Sequence, residues 1–464
     1  MKVAVLGAGL AGLSAGYKLA ESGVDIEVIE AEDRVGGMAV SFTDGEFTYD
    51  LGPHRFHSTD DKVNDHLKEL MGDGLVNKVR VSRILLEKRF FDYPLRVGNA
   101  IFNMPPLTTL RIMIDYGFVK LKNLFIPSPD DSFETWVLNR FGRKLYDLYF
   151  RVYTEKTWGI PCTQISADWA SQRISLLSLW DTIVKTLFKK GDAPRTYVSK
   201  FFYPAKGGIG GISESYAQSI RENGGKIHLS RPVDSVELSD NRIKSIGAGD
   251  KKWEIADDDI VFSTLPLTSM ISFMPTGAVP KKVHEAVNKL IFRSLVFVQL
   301  MVSADKVSDD HWIYLPEPKF ISNRLSESKN FNVTNAPDGK TLVTFELTCQ
   351  KGDDLWNAED EDLKGMAVED FKKTGLLPSF DIIGFAVHRE EWAYPIYDLE
   401  YKDNLDTVLD WFKTIENLNF FGRNGLFRYN NMDHSVSMGL IAASSVTDES
   451  IDYMAVATEQ NWFG

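Results

Sequence analysis

The chain has 464 residues, 44% of them apolar and 25% charged, and 52 Lys and Arg against 65 Asp and Glu give a formal net charge of −13. That length accommodates two or three domains around a large core, and the acidic balance argues against a nucleic-acid partner, which needs a basic face. The two cysteines, Cys162 and Cys349, have no metal-ligand spacing and are too few for a disulfide framework; they read as thiols of a reducing, cytoplasmic compartment.

The first predicted element is an apolar strand at Lys2–Leu6, followed by Gly7, Gly9 and Gly12 in G-x-G-x-x-G spacing. Gly7 permits the tight turn out of the strand, Gly9 lets a pyrophosphate approach bare backbone, and Gly12 lets the next helix pack closely. The helix N-terminus adds free N–H groups and partial positive charge for phosphates. The apolar start is therefore read as strand and helix rather than signal peptide. A second strand, Asp25–Ile29, delivers Glu30, whose carboxylate is placed for a ribose diol. Arg34-Val35-Gly36-Gly37 follows, a second glycine pair that suits a longer dinucleotide and tips the choice from NAD to FAD. At this point the chain resembles the FAD-binding superfamily that includes amine oxidases, protoporphyrinogen oxidase, desaturases and UDP-galactopyranose mutase.

Asp50-Leu51-Gly52-Pro53-His54-Arg55-Phe56-His57 sets two histidines three residues apart after an extended Gly-Pro. Alone it is as readily a turn with solvated histidines, and no third ligand is near enough for a metal. Residues 79–95 alternate like a hairpin. Residues 100–190 read as largely helical, with a break at Pro127-Ser128-Pro129-Asp130. Within them 101–127 is the most apolar stretch, but Arg111, Asp115, Lys120 and Lys122 interrupt it. A pair of core helices is preferred there to a membrane-surface helix, and no membrane span is predicted. Gly207-Gly208-Ile209-Gly210-Gly211 opens a helix at 213–223, which leads to strands at 226–229, 235–238 and 260–264. Residues 270–400 are strand-rich, as at 295–302 and 341–347. The tail, 419–445, ends in a small-residue helix. Its start at Asn431-Met432-Asp433-His434-Ser435 is expected to be capped by Asp433 or Ser435 and to turn its positive end toward a flavin.

The expected class is α/β: a discontinuous FAD-binding Rossmann domain with an inserted, mainly β substrate domain and a helical insert. The expected bounds are 1–75, 195–268 and 405–464 for the Rossmann domain, 76–99 and 269–404 for the β-sheet domain, and 100–194 for the helical domain. A site between them would lie in a cleft.

Five segments resemble UDP-galactopyranose mutases in the same order along the chain. Gly52-Pro53-His54 through His57 matches the bacterial G-P-H-x-F-H-T, with Ser58 for Thr. Tyr153-Thr154-Glu155-Lys156-Thr157-Trp158 is similar to Y-T-x-K-x-W. Trp169-Ala170-Ser171-Gln172-Arg173 resembles the eukaryotic W-L-x-x-R-V. Asn323-Arg324 through Phe331 is similar to the bacterial T-R-x-x-E-x-K-x-F. Tyr394-Pro395 and Gly422-Arg423 through Tyr429 resemble the late Y-P and G-R-x-G-x-x-R-Y. The resemblance implies a cytoplasmic isomerase of cell-surface polysaccharide biosynthesis. Reduced FAD would carry the sugar on N5 while a UDP-sugar changes between pyranose and furanose, with an external reductant such as NAD(P)H as donor. Arg173 and Arg324 would hold the diphosphate, with His54, His57, Tyr394 and Tyr429 as further catalytic residues. Tyr153, Trp158, Arg423 and Asn323 would contact substrate. Gly7, Gly9, Ala11, Gly12, Glu30, Arg34, Gly36, Gly37, Met38, Gly52, Pro53, His54, Val233, Arg423, Met432, Asp433 and Ser435 would contact FAD. Guanidinium forks suit phosphate oxygens, although either arginine alone is as readily an ion-pair partner among 65 acids. The alternative is an FAD-dependent oxidoreductase of the amine oxidase or protoporphyrinogen oxidase type, which needs an apolar tunnel instead.

Overall fold

The computed structural model describes residues 1–93, 106–125, 128–173, 200–447 and 451, without the side chains of Gln172, Arg173 and Thr447. Lys2–Leu6 pairs in parallel with Asp25–Ile29 on one side and Ile260–Ser263 on the other; Lys226–His228 and Leu418–Phe420 form the edges of this five-stranded sheet. Val3, Val5, Ile26 and Val28 are buried in it, as parallel strands covered on both faces require. The strands expected at 226–229 and 260–264 both form and both enter this sheet. The first helix, Leu10–Glu21, packs on Gly210–Glu222 and on the last helix, Met432–Thr447. That last contact is close. A Cβ on Gly439 would lie 2.2 Å from the Ala11 carbonyl oxygen, and the Ser14 hydroxyl donates to the Val436 carbonyl at 3.1 Å.

A second sheet has seven strands in the order Ile382–Pro395, Phe292–Val302, Thr341–Cys349, Arg324–Glu327, Trp312–Tyr314, Ser82–Leu86 and Arg89–Asp92. All its pairs are antiparallel except Trp312–Tyr314 with Ser82–Leu86. The hairpin expected at 79–95 forms its edge. Its turn residues Glu87 and Lys88 have φ of 49° and 62°, the two-residue geometry that matches strand twist. Between them, Phe292–Val302 and Thr341–Cys349 carry the strands expected at 295–302 and 341–347.

The helical region contains Pro106–Phe125, Phe133–Phe141, Arg151–Trp158 and Ala167–Arg173. Ser132 starts the second of these with a capping box, exchanging hydrogen bonds with Thr135. Residues 174–194 of the expected helical insert lie outside the described residues. Two expectations are corrected. The stretch 101–127 does not give a pair of core helices: Pro106–Phe125 is one helix in which only Tyr116 is buried. Its apolar residues recur around most of the cylinder, so periodicity could not separate the packed side from the bare one. The last helix begins at Met432, so Asp433 and Ser435 sit inside its first turn and are not N-caps. The Nδ1 atom of His434 instead accepts from the Asn431 N–H at 3.2 Å.

Candidate functional site

The glycine-rich turn leaves the carboxyl end of the first strand as its spacing predicts. Gly12 is there because a Cβ would meet the Gly7 carbonyl oxygen at 2.1 Å, whereas a Cβ on Gly9 would meet nothing within 4 Å. The backbone at Gly9 therefore faces open space at a helix N-terminus. Gly36 bridges to Gly9 and its N–H donates to the Ala8 carbonyl at 2.8 Å, so the two glycine segments, Gly37 included, lie side by side. Ala11 packs close to Gly422. Glu30 is buried, which pushes its pKa up. Its carboxylate accepts from the N–H groups of Ala8 at 2.6 Å and Glu32 at 3.0 Å. Each oxygen keeps a lone pair for a ribose hydroxyl. Arg34 pairs with its neighbour Asp33 and lies over the Phe42 ring. Met38 packs against Val40 and Leu51, and Val233 is buried in the loop ahead of the strand Ser235–Ser239.

The Gly52–His57 segment is anchored at its start by Asp50. That carboxylate accepts from the Ser41 and Tyr203 hydroxyls and the Ile209 N–H, and burial pushes its pKa up to about 6. Gly52 has room for no side chain, because a Cβ would sit 2.7 Å from a carboxylate oxygen of Glu346. Pro53 is buried. The Nδ1 atoms of His54 and His57 are buried without a protein hydrogen-bond partner among the described residues. Burial pushes both imidazoles down to about 3, helped at His54 by Arg324, Arg423 and Arg55. Both rings are neutral near pH 7.

Glu346 lies opposite Arg324 in the strand register. The guanidinium donates to its two oxygens at 2.7 and 2.6 Å, through Nε and Nη2. Burial opposes the charge on Arg324, but Glu346 holds its pKa above the ordinary arginine value. The Nη1 edge stays outside this fork, and the group lies 5.7 Å from the Tyr314 ring centre. Tyr153 meets Tyr314 edge-on at 5.8 Å. Tyr394 and Tyr429 stack at 5.2 Å, with the Arg423 guanidinium 5.3 and 4.6 Å from their centres. Arg423 also donates to the carbonyls of Asn430 and Ala393, while its Nε is buried without a protein partner. Trp158 braces both tyrosines edge-on. Burial raises the pKa of Tyr153 and Tyr394, so both phenols remain hydrogen-bond donors.

Side chains that are hundreds of residues apart in sequence thus form one neighbourhood, in which His54 feels Arg324 and Arg423, and Tyr153 feels Arg324 and Tyr394. Two expected members stand differently. Asn323 is buried, with its amide donating to Thr157 and accepting from Thr348, so it ties the helix 151–158 to the second sheet. The side chain of Arg173 lies outside the described residues. Its helix abuts the cluster through Trp169, which meets Trp158 at 4.4 Å and Tyr429 at 5.0 Å. The end of the last helix comes close as well: Asp433 is buried beside His434, and His434 in turn neighbours His57; Met432 and Ser435 share that first turn.

One residue the sequence reading passed over is Arg55. Its guanidinium lies 4.4 Å from the Trp312 ring centre, and burial pushes its pKa down to about 10. Arg80 and Arg324 are charged neighbours of Arg55, and no carboxylate pairs with it among the described residues. The signal was in plain view between the two histidines, but the motif's histidines drew the chemistry.

A family model described as flavin containing amine oxidoreductase matches residues 10–402. The chain is 26% identical over 176 residues to a probable UDP-galactopyranose mutase of Klebsiella pneumoniae, a match covering 36% of this chain and only 43% of that protein. It is 22% identical over 485 residues to an L-amino-acid oxidase of Demansia vestigiata, covering 96% and 86%. A solved structure of reduced UDP-galactopyranose mutase superposes with a TM-score of 0.87 at 21% identity, over 98% of this chain and 96% of that one. A putative protoporphyrinogen oxidase from Exiguobacterium superposes at 0.72 and 16% identity, over 97% and 99%. Identities this low speak for the fold alone. The residues here fit a flavin dinucleotide on their own terms. The bare backbone at Gly9 gives a pyrophosphate access, and the partnerless Nδ1 atoms and Arg423 Nε leave polar groups for a ligand. The chain belongs to the flavin containing amine oxidoreductase family, and its cofactor is FAD.

Proposed function

We propose that this flavoenzyme interconverts the pyranose and furanose forms of a UDP-sugar, in the manner of UDP-galactopyranose mutases. The observation that carries the reading is the Arg324–Glu346 fork set among Tyr153, Tyr314 and the stacked Tyr394–Tyr429 pair. Such a wall is charged and rich in hydroxyls, whereas an apolar amine calls for an apolar tunnel. In this reading Arg324, through Nη1, and Arg55 receive the diphosphate, and Arg173 joins them as the resemblance implies. Their positive charge lies where negative charge grows as the sugar leaves the diphosphate. Tyr153, Tyr394 and Tyr429 donate hydrogen bonds to the phosphate oxygens, and Trp158 keeps the last two in place. Neutral His54 and His57 each leave an unpartnered Nδ1 with which to exchange a hydrogen bond with the bound ligand. Bound and reduced, FAD supplies the nucleophile, so the net redox change is zero. Glu30, Gly9, Gly36 and Gly37 hold its nucleotide half. A reducing cytoplasm, an NAD(P)H-linked donor and a cell-surface polysaccharide as the product's destination complete the reading.

A second reading has its own support. The family description and the near full-length match to an L-amino-acid oxidase favour an oxidoreductase that takes a hydride from an organic substrate. One experiment separates the two. The protein is reduced anaerobically with dithionite, given UDP-galactopyranose or UDP-galactofuranose, and its products are resolved by chromatography. Ring-size exchange that falls roughly a hundredfold in Arg324→Ala supports the mutase. Bleaching of the oxidised flavin by an amine or amino acid, with no ring-size exchange, supports the oxidoreductase.

A further inference from the structure

The helix Pro106–Phe125 carries an apolar face that no part of the described chain covers. Leu107, Leu110, Ile114, Phe118, Leu121, Leu124 and Phe125 recur every three or four residues along it, and each is between 55% and 75% exposed. The opposite side packs against the helix Phe133–Phe141 and buries Tyr116. A stripe of seven large apolar side chains, about 30 Å long at helical rise, exceeds what a monomer ordinarily leaves in water. Its charges are arranged just as unevenly. Arg111 and Lys122 are exposed along one margin, whereas the exposed Lys120 holds its ammonium 5.5 Å from the ring centre of Tyr116 on the packed side. Its one acid, Asp115, is half-buried and already engaged, accepting from the Lys144 N–H at 2.8 Å. The helix thus sets three exposed cations against one hydrogen-bonded acid, in a chain whose formal net charge is −13.

We propose that this helix lies on an anionic lipid bilayer, with its Leu, Ile and Phe side chains in the acyl boundary and Arg111 and Lys122 among the headgroup phosphates. An apolar face with a basic margin, whose helix carries more exposed cations than acids, is the arrangement that such surfaces attract. A second copy fits less well, because self-pairing of two such faces brings their Arg111 and Lys122 margins together while the helix's one acid, Asp115, is already engaged by the Lys144 N–H. No helix among the described residues is long and apolar enough to cross the membrane, so the contact is one of lying on the surface. The inference is independent of the sugar-nucleotide reading.

The test is co-sedimentation of the full-length flavoprotein with vesicles of phosphatidylcholine, with and without about one-third phosphatidylglycerol. The anionic vesicles are expected to bind at least roughly tenfold more protein, and raised salt to weaken that binding. Phe118→Glu with Leu121→Glu, and separately Arg111→Glu with Lys122→Glu, are each expected to abolish the difference while flavin content and Tm stay unchanged. Equal binding to both vesicle types, or none, overturns the proposal. So does binding unchanged in both double variants. A particle mass that halves in Phe118→Glu/Leu121→Glu, without any preference for anionic vesicles in the parent protein, assigns the face to a second copy instead.

Discussion

A guanidinium held by a carboxylate along one edge can offer a ligand only the other, and Glu346 holds Arg324 in that way at 2.6 and 2.7 Å. Glu346→Gln keeps the shape but removes the charge that fixes the fork. On the proposed mutase reading, the expected result is roughly a tenfold loss in kcat/KM for the UDP-sugar, about 1.4 kcal/mol, with flavin content unchanged. A larger loss of flavin than of turnover would mean that the pair serves the cofactor end. The histidines give a prediction in pH. Their folded pKa values, about 3, lie below the ordinary 6.5. The unfolded chain takes up protons as pH falls below 6.5, whereas the native one does not. The stability this represents is complete above pH 6.5 and is lost as pH falls toward 3, by up to about 1.4 kcal/mol per pH unit for each ring. Asp50 acts with the opposite sign: its folded pKa is raised to about 6, so the native state holds that proton longer and gains as pH falls through that range. Comparing parent with His54→Gln in urea at pH 7.5 and pH 5 isolates the histidine. The parent should lose the more stability on acidification; an equal loss in both would show that His54 is not held neutral by the fold.

The two halves of the glycine-rich turn have different duties, and they should separate experimentally. Gly12 touches the Gly7 carbonyl, while Gly9 sits at φ −71° with open space where its Cβ would be. Gly12→Ala is expected to cost several kcal/mol, in the manner of an overpacked core. Gly9→Ala should fold with Tm within a few degrees of the parent yet copurify with little flavin. Normal flavin content in Gly9→Ala would remove the pyrophosphate from that turn. This element was legible in the sequence because strand, turn, helix, strand and acid follow one another within 30 residues, and the turn's chemistry is local. The same holds for the hairpin through Glu87 and Lys88. The helix Pro106–Phe125 was misread for the opposite reason: apolar side chains on more than one face carry no mark of which face meets the protein. The start of the last helix was misplaced because both Asp433 and Ser435 look like caps, and the reach of His434 back to Asn431 is visible only in three dimensions.

At the scale of the whole molecule, the candidate site lies where a seven-stranded sheet, the helices 151–158 and 167–173, and the carboxyl end of the parallel sheet meet. Tyr153, Arg324, Tyr394 and Tyr429 come from four separate segments, and the motifs named them because each keeps a recognisable local pattern. Their partners were not readable. Glu346 stands in an ordinary strand pattern, and its match to Arg324 follows only from strand register. Asn323 carries the same motif context as Arg324, yet its amide is spent on Thr157 and Thr348. The central claim is that these segments gather to receive a nucleotide diphosphate. Calorimetric titration of the flavoprotein with UDP and with uridine tests it most directly. The account predicts that UDP binds at least roughly a hundredfold more tightly than uridine, and that Arg324→Ala and Arg55→Leu each remove most of that difference. Equal affinity for UDP and uridine, or a preference for UDP that survives both substitutions, would contradict it.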